Sequence, residues 1–407
     1  MTQLIDATPT AARNNDARII PLVCAAHFVS HFYILVLPPL FLFIREFYGV
    51  SYTELGFALT AFNVTTALCQ TPAGFLVDRV GARSVLVAGL VLGAVCLAVV
   101  GLIPSFWLMV AMFALLGVAN GVYHPADYAI LSQLISSERS AQAFSLHIFA
   151  GFLGTAVAPA GMLILQQAFG WQGAFLAASV MGLVVAIALT LQPAGLFTPP
   201  PRPARPAGEQ KDSGWSLLMS APILLNLLFF VMITFSTTGV QNYSVVALNE
   251  AFGTPIGVAN TALTANLMLS AFGVLVGGVL AARVTRHEWV AALSFLGIAL
   301  TGLAIGIADF GFVMLMVMMS LNGFVNGLMQ PSRDMIVRAV TPEGQFGKVF
   351  GFVTTGFNIG GIIAPLMFGY VMDAGHPRAV FYLVCGLSLL AILILIPNFL
   401  RRRADPA

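Results

Sequence analysis

Apolar runs long enough to cross a bilayer recur along this chain from one end to the other. A transmembrane helix needs about 20 largely apolar residues. Such runs lie near 19–44, 54–78, 83–103, 106–134, 140–168 and 171–192, then 217–245, 257–282, 288–308, 311–338, 346–373 and 378–400. Only 8% of the 407 residues are charged and 59% are hydrophobic, whereas a water-soluble domain carries about 25% charged residues. So few charges cannot coat a surface facing water. The expected fold class is therefore an all-α polytopic membrane protein with twelve transmembrane helices. Proline and glycine inside the spans are tolerable, because neighbouring helices can satisfy the freed backbone groups.

The basic residues orient the spans. Arg13, Arg18, Arg79, Arg83, Arg139, Arg202, Arg205, Lys211, Arg283, Arg286, Arg338, Lys348 and Arg401 to Arg403 fall on one side of such a membrane. Only Arg45 and Arg378 fall on the other, and Arg333 lies within a span. By the positive-inside rule the first side is cytoplasmic and both termini lie there. No cleavable signal is expected in the polar start, 1–18, which reads as a cytoplasmic tail. Residues 193–216, rich in proline and basic side chains, read as an extended cytoplasmic linker. It separates six-helix bundles over 19–192 and 217–400, and 401–407 form a second tail.

The two bundles carry a repeat. At a constant offset of 206, Gly117, Asn120, Gly121 and Pro125 match Gly323, Asn326, Gly327 and Pro331. The same offset pairs Phe144 with Phe350, Gly154 with Gly360, Pro159 with Pro365 and Phe175 with Phe381. Parallel six-helix repeats suit a transporter whose site lies between them.

Between spans 2 and 3 stands Gly74-Phe75-Leu76-Val77-Asp78-Arg79-Val80-Gly81-Ala82-Arg83. This resembles the G-x-L-x-D-R-x-G-R-R loop of the major facilitator superfamily, and twelve spans, a long linker and the repeat agree with it. A degenerate copy, Gly278 to Arg286, keeps Arg283 but has Ala282 at the acidic position. The resemblance implies two pseudo-symmetric bundles that rock in alternating access around a cavity lined by helices 1, 4, 7 and 10. It also implies a monomer in the bacterial inner membrane. It assigns Gly74, Asp78, Arg79, Gly81 and Arg83 to the conformational switch, with Asp78 and Arg79 capping and pairing with neighbouring helix ends. Tyr123-His124-Pro125, with His27 and His31, is similar to the fosmidomycin-resistance group of exporters, although the acid arrives one residue later, at Asp127. The arginine of drug–proton antiporters is replaced by Phe113, and their helix-5 G-x-x-x-G-P signature is absent.

Ionisable groups inside a bilayer are costly and are candidates for function. Asn120, His124 and Asp127 recur at i, i+4 and i+7, on one helical face. The matching face in the second half carries Asn322, Asn326, Gln330 and Arg333, with Asp334 beside it, and helix 7 offers Gln241, Asn242 and Tyr243. His27 and His31 lie one turn apart, and His147 adds a fourth intramembrane histidine. We assign His31, Asn120, Tyr123, His124, Asn322, Asn326, Gln330 and Arg333 to substrate binding. Asp127, His27 and His147 are assigned to proton coupling, because histidine titrates near neutral pH. Arg333 could hold an anionic group by a forked pair of hydrogen bonds, or pair structurally with Asp334.

The expected function is proton-coupled secondary transport of a small organic solute, anionic or amphipathic. The expected partners are that solute, protons and lipid, with no cofactor, metal or nucleic acid. The alternatives are a copper-like transition-metal transporter, suggested by the histidines with Met314, Met316, Met318, Met319 and Met329, and a sensor or assembly protein that does not transport. The five methionines do not share one face. No phosphate-binding loop, nucleophile elbow or HExxH motif occurs, so an enzyme is not expected. Cys24, Cys69, Cys96 and Cys385 read as small apolar fillers.

Overall fold

A computed structural model describes residues 9–197, 215–342 and 345–404. The expected linker falls mostly outside the described residues, as do the start of the first tail and the end of the last. Among the described residues the chain is helical and without strands. The first six spans give α1 (Pro9–Ile34), α2 (Phe41–Tyr48), α3 (Tyr52–Val80), α4 (Ala82–Leu102), α5 (Phe106–Leu134) and α6 (Ser137–Thr190). A short α7 (Trp215–Leu218) precedes α8 (Ala221–Thr238) and α9 (Ser244–Phe252). Then follow α10 (Ile256–Ala281), α11 (His287–Ile307), α12 (Phe312–Ala339), α13 (Phe346–Asp373) and α14 (Ala379–Ala404).

Ten helical stretches are long and apolar enough to cross a membrane among the described residues. The stretch Glu138–Thr190 holds two spans, because the backbone leaves helical geometry at Gly170 (φ 72°, ψ 171°). Glycine adopts positive φ without the steric penalty a Cβ imposes. The 29-residue α3 stands outside that ten, its apolar stretch diluted by Asn63, Thr65, Thr66, Gln70 and Thr71. With it, the helices are consistent with the expected twelve spans.

Two spans are interrupted where the sequence suggested continuous helices. Pro38 and Pro39 carry no backbone N–H and cannot continue α1, so a single 3-10 turn, Pro38–Leu40, separates it from α2. In the second half a π-helical turn, Gly239–Tyr243, separates α8 from α9. Subtracting the repeat offset of 206 places that turn at 33–37, beside the first interruption. The helix α1 also begins at Pro9, well inside the stretch expected to be a tail.

The described residues form two compact units. One comprises the described residues up to Ile34, Thr65–Thr155 and 172–197, and the other Leu35–Val64, Ala156–Trp171 and the described residues from 215 onward. In each, the glycines shared by the repeat let two backbones meet. In the first unit a Cβ on Gly121 of α5 would lie 3.2 Å from Cys69 Cβ and from the Thr66 carbonyl oxygen of α3. The Thr66 hydroxyl in turn donates to the Gly117 carbonyl at 3.0 Å. In the second unit, Gly323 and Gly327 of α12 sit against the carbonyls of Asn266 and Ser270 of α10, closer than any Cβ would allow. The pair Gly154 and Gly360 repeats the device: the first abuts the Phe28 carbonyl, the second Thr234, 206 residues later. Helices in lipid associate through close packing of this kind, since lipid tails are as apolar as leucine.

The second unit also contains a carboxylate catch. Asp373, at the end of α13, accepts from the backbone N–H groups of Tyr52 and Thr53 at 2.8 Å each, and from the Thr53 hydroxyl at 2.5 Å. It therefore caps the N-terminus of α3, where free N–H groups and the helix dipole favour an anion. Nearby, the Tyr52 hydroxyl donates to Glu250 at 2.6 Å, and Arg45 lies over the Tyr52 ring, 4.5 Å from its centre.

Replacing Gly323 by alanine forces α10 and α12 apart. Thermal unfolding in detergent should show a loss of about 1–3 kcal/mol, the usual range for overpacking. Gly278→Ala, whose Cβ meets open space, is the matched control. Equal melting of both variants would contradict the close approach.

Candidate functional site

Three helices of the first unit bring the intramembrane titratable groups together. Helix α1 supplies His27 and His31, α5 supplies His124 and Asp127, and α6 supplies His147. Asp127 and His147 are fully buried and His27 is 3% exposed. His147 Nε2 lies 3.0 Å from Asp127 Oδ2, a hydrogen bond in which the protonated ring nitrogen donates. His27 Nδ1 lies 3.4 Å from the same oxygen but is not aimed to hydrogen-bond with it. The His27 and His147 rings stack, with centres 3.7 Å apart and planes 21° from parallel. His31 and His124 flank His27 at 4.5 and 5.1 Å between ring centres.

The sequence places these rings by simple spacing. His27 and His31 are one turn apart on α1, while His147, Gly151 and Thr155 form a stripe along α6. The Thr155 hydroxyl donates to the Gly151 carbonyl at 3.2 Å and lies 3.1 Å from His31 Nδ1, which orients that ring. Gly151 leaves room for α1: a Cβ there would stand 2.7 Å from His27 Nε2. Neither Gly151 nor Thr155 was among the residues singled out from the sequence. Their signal was the four-residue spacing from His147.

The other candidates take different places. Tyr123 is buried and its hydroxyl has no hydrogen-bond partner among the described residues. Asn120 is half-buried one turn before His124. In the second unit, Asn322 is held by its neighbours: its amide donates to Thr301 Oγ1 at 2.8 Å and accepts from Asn266 at 3.1 Å. That network ties α10, α11 and α12 together, a common use of amides between membrane helices. Asn326 lines a narrow pocket with Asn266, Asn322, Gln241, Ser236 and Thr237. Gln241 belongs to the π-helical turn, a feature frequent at functional sites. Gln330 is half-buried.

Arg333 is enclosed on three sides. Its Nε donates to Asp334 Oδ1 at 2.8 Å, and its guanidinium lies 5.0 and 5.2 Å from the ring centres of Phe230 and Phe357. Asp334 is 42% exposed, so solvent weakens that pair, and the guanidinium keeps donors free of Asp334. Asp127 and Arg333 differ by the repeat offset of 206, so one position of the repeat carries opposite charges in the two halves.

In the last turn of α3, Asp78 and Arg79 are exposed and form no ion pair among the described residues. The capping expected of them falls to Arg83, whose Nη2 donates to the carbonyls of Leu189, Thr190 and Gln192 at 2.7–2.8 Å. These carbonyls lie at and just beyond the C-terminal end of α6, where a cation is favoured. Gly81 begins α4 at φ +90°, which excludes most side chains. Gly74 is half-buried within α3.

A family model described as Major Facilitator Superfamily matches residues 23–247 and 227–407. The chain belongs to the major facilitator superfamily. It is a multi-pass membrane transporter and not an enzyme. A probable sulfoacetate transporter of Cupriavidus necator is 25% identical over 403 residues, covering 91% of this chain and 90% of that protein. A D-galactonate transporter of Escherichia coli is 22% identical, covering 88% and 90%. The fosmidomycin resistance protein of Escherichia coli is 22% identical, covering 96% and 95%. Among solved structures, a bacterial homologue of the human lysosomal transporter Spinster superposes with a TM-score of 0.75 at 14% identity, covering 96% and 97%. That likeness shows the superfamily fold.

Gly151→Ala should push the His27 ring off His147. In histidine-labelled protein, the imidazole resonances of both should shift, and unfolding should lose about 1–3 kcal/mol. Gly351→Ala, which meets open space, should leave them in place. Unmoved resonances in Gly151→Ala would contradict the approach of α1 to α6.

Proposed function

We propose that the protein moves a small organic anion across the bacterial inner membrane by alternating access, with protons as the coupling ion. The observation that carries this reading is the cluster of Asp127 with His27 and His147, all three buried, flanked by the half-buried His31 and His124. With the histidines neutral and Asp127 ionised, the group bears one net negative charge. One added proton makes it neutral overall. Burial makes that difference costly, because a charge far from water loses several kcal/mol of solvation. A conformational change that alters the cluster's access to water therefore takes up or releases a proton.

Arg333 supports an anionic solute. A planar guanidinium offers forked hydrogen bonds to carboxylate or sulfonate oxygens. The phenyl rings of Phe230 and Phe357 fix its plane by cation–π contact. Relatives named for sulfoacetate and D-galactonate fit that chemistry. The amides of Gln241 and Asn326 would serve uncharged polar groups of the solute. In this reading 19–192 and 217–400 are the moving bundles of a monomer with both termini in the cytoplasm, and the end of α3 at Asp78, with Arg83, belongs to the switch.

In proteoliposomes, uphill uptake of D-galactonate or sulfoacetate should follow an imposed pH gradient. Asp127→Asn should abolish proton flux while solute counterflow persists. Transport indifferent to both the gradient and a protonophore would overturn the coupling.

Arg333→Lys retains the charge but loses the planar fork. It should weaken solute binding on the order of tenfold, the cost of one lost charge-assisted hydrogen bond at about 1.5 kcal/mol. Calorimetry with the same two anions checks this, and unchanged affinity would leave Arg333 a structural partner of Asp334.

A further inference from the structure

We propose that His27, Asp127 and His147 form a binding site for a divalent transition-metal ion such as zinc, in competition with protons. One donor atom from each residue lies within 4.8 Å of the other two, and all three side chains are buried. A tetrahedral ion with bonds of about 2.0–2.1 Å needs donors about 3.3–3.4 Å apart. Asp127 Oδ2 stands 3.0 Å from His147 Nε2 and 3.4 Å from His27 Nδ1, which brackets that spacing. Two imidazoles and a carboxylate are donors that zinc accepts together.

Hydrogen bonding leaves part of this cluster unsatisfied. His27 Nδ1, with its side chain 4% exposed, has no hydrogen-bond partner, and neither has Asp127 Oδ1. A buried polar atom without a partner costs about 1–3 kcal/mol, and an ion among these donors would remove that cost. The His27 ring stacks on His147, so ligation requires it to rotate about its side-chain bonds until Nδ1 faces the carboxylate. His124, its ring centre 5.1 Å from that of His27 and its Nδ1 also unpartnered, lies beside this group but outside it. A bound ion would tie α1, α5 and α6 together and displace the proton, because histidine ligates only when neutral.

The binding itself does not depend on the proposed transport. Only inhibition of transport by zinc rests on that reading. The test uses purified, tag-free full-length protein in detergent, titrated with zinc sulfate alone by calorimetry in two buffers of different ionisation enthalpy. The expected result is saturable one-to-one binding with proton release, and X-ray absorption showing imidazole ligands. His27→Ala and His147→Gln should each weaken it by more than about tenfold, at least the cost of losing an outer-shell partner. His376→Ala, at an exposed loop histidine, should not. Each variant is first checked for wild-type melting without zinc, and His27→Gln replaces any that fails. Absent binding, or binding unchanged in both cluster variants, overturns the site and leaves proton coupling to be judged by flux alone. Binding without any inhibition of transport retains the site and removes the cluster from the coupling mechanism.

Discussion

The close approach of α1 to α6 at Gly154, which rests on the Phe28 carbonyl, is the contact on which the candidate site depends. One turn away, Gly151 admits the edge of the His27 ring. Without those two glycines the helices would stand apart by the width of a side chain, and His147 could not stack on His27. Polar groups in a bilayer must find partners within the protein. Backbone contact between helices is what lets three separate spans supply them to one another.

The repeat shows how one scaffold acquired two chemistries. Gly154 and Gly360 seat equivalent spans, and Gly121 and its counterpart Gly327 seat another pair. Upon this shared packing the polar residues diverge. Asp127 in the first half occupies the position of Arg333 in the second, and His31 that of Thr237. The first unit thus concentrates groups that exchange protons, and the second concentrates amides and a guanidinium that hold their protons at any physiological pH.

Much of this was legible in the sequence. Apolar runs located twelve spans, and the rarity of ionisable groups within them singled out His27, His31, His124, Asp127 and His147. Their convergence was not legible, because helical spacing relates residues on one helix and says nothing of which faces meet. Gly151 and Thr155 were passed over for that reason. Asn322 was read as a ligand contact, and its bonds to Thr301 and Asn266 on two neighbouring helices could not be foreseen, because an amide in a span can serve a solute, a helix or both. The capping role was assigned to Asp78 and Arg79, whereas Arg83, five residues after Asp78, reaches the end of α6. Which basic residue of a short loop finds the free carbonyls depends on how the next helix leaves it, and Gly81 sets that exit.

The Asp373 carboxylate that caps α3 carries a consequence for hydration. Its partners, the N–H groups of Tyr52 and Thr53, belong to the first helical turn and have no acceptor within their own helix. Any motion that withdraws Asp373 exposes those donors and the carboxylate at once, and only water can replace what each has lost. Separation at this point and the entry of water are therefore one event: the catch cannot part dry.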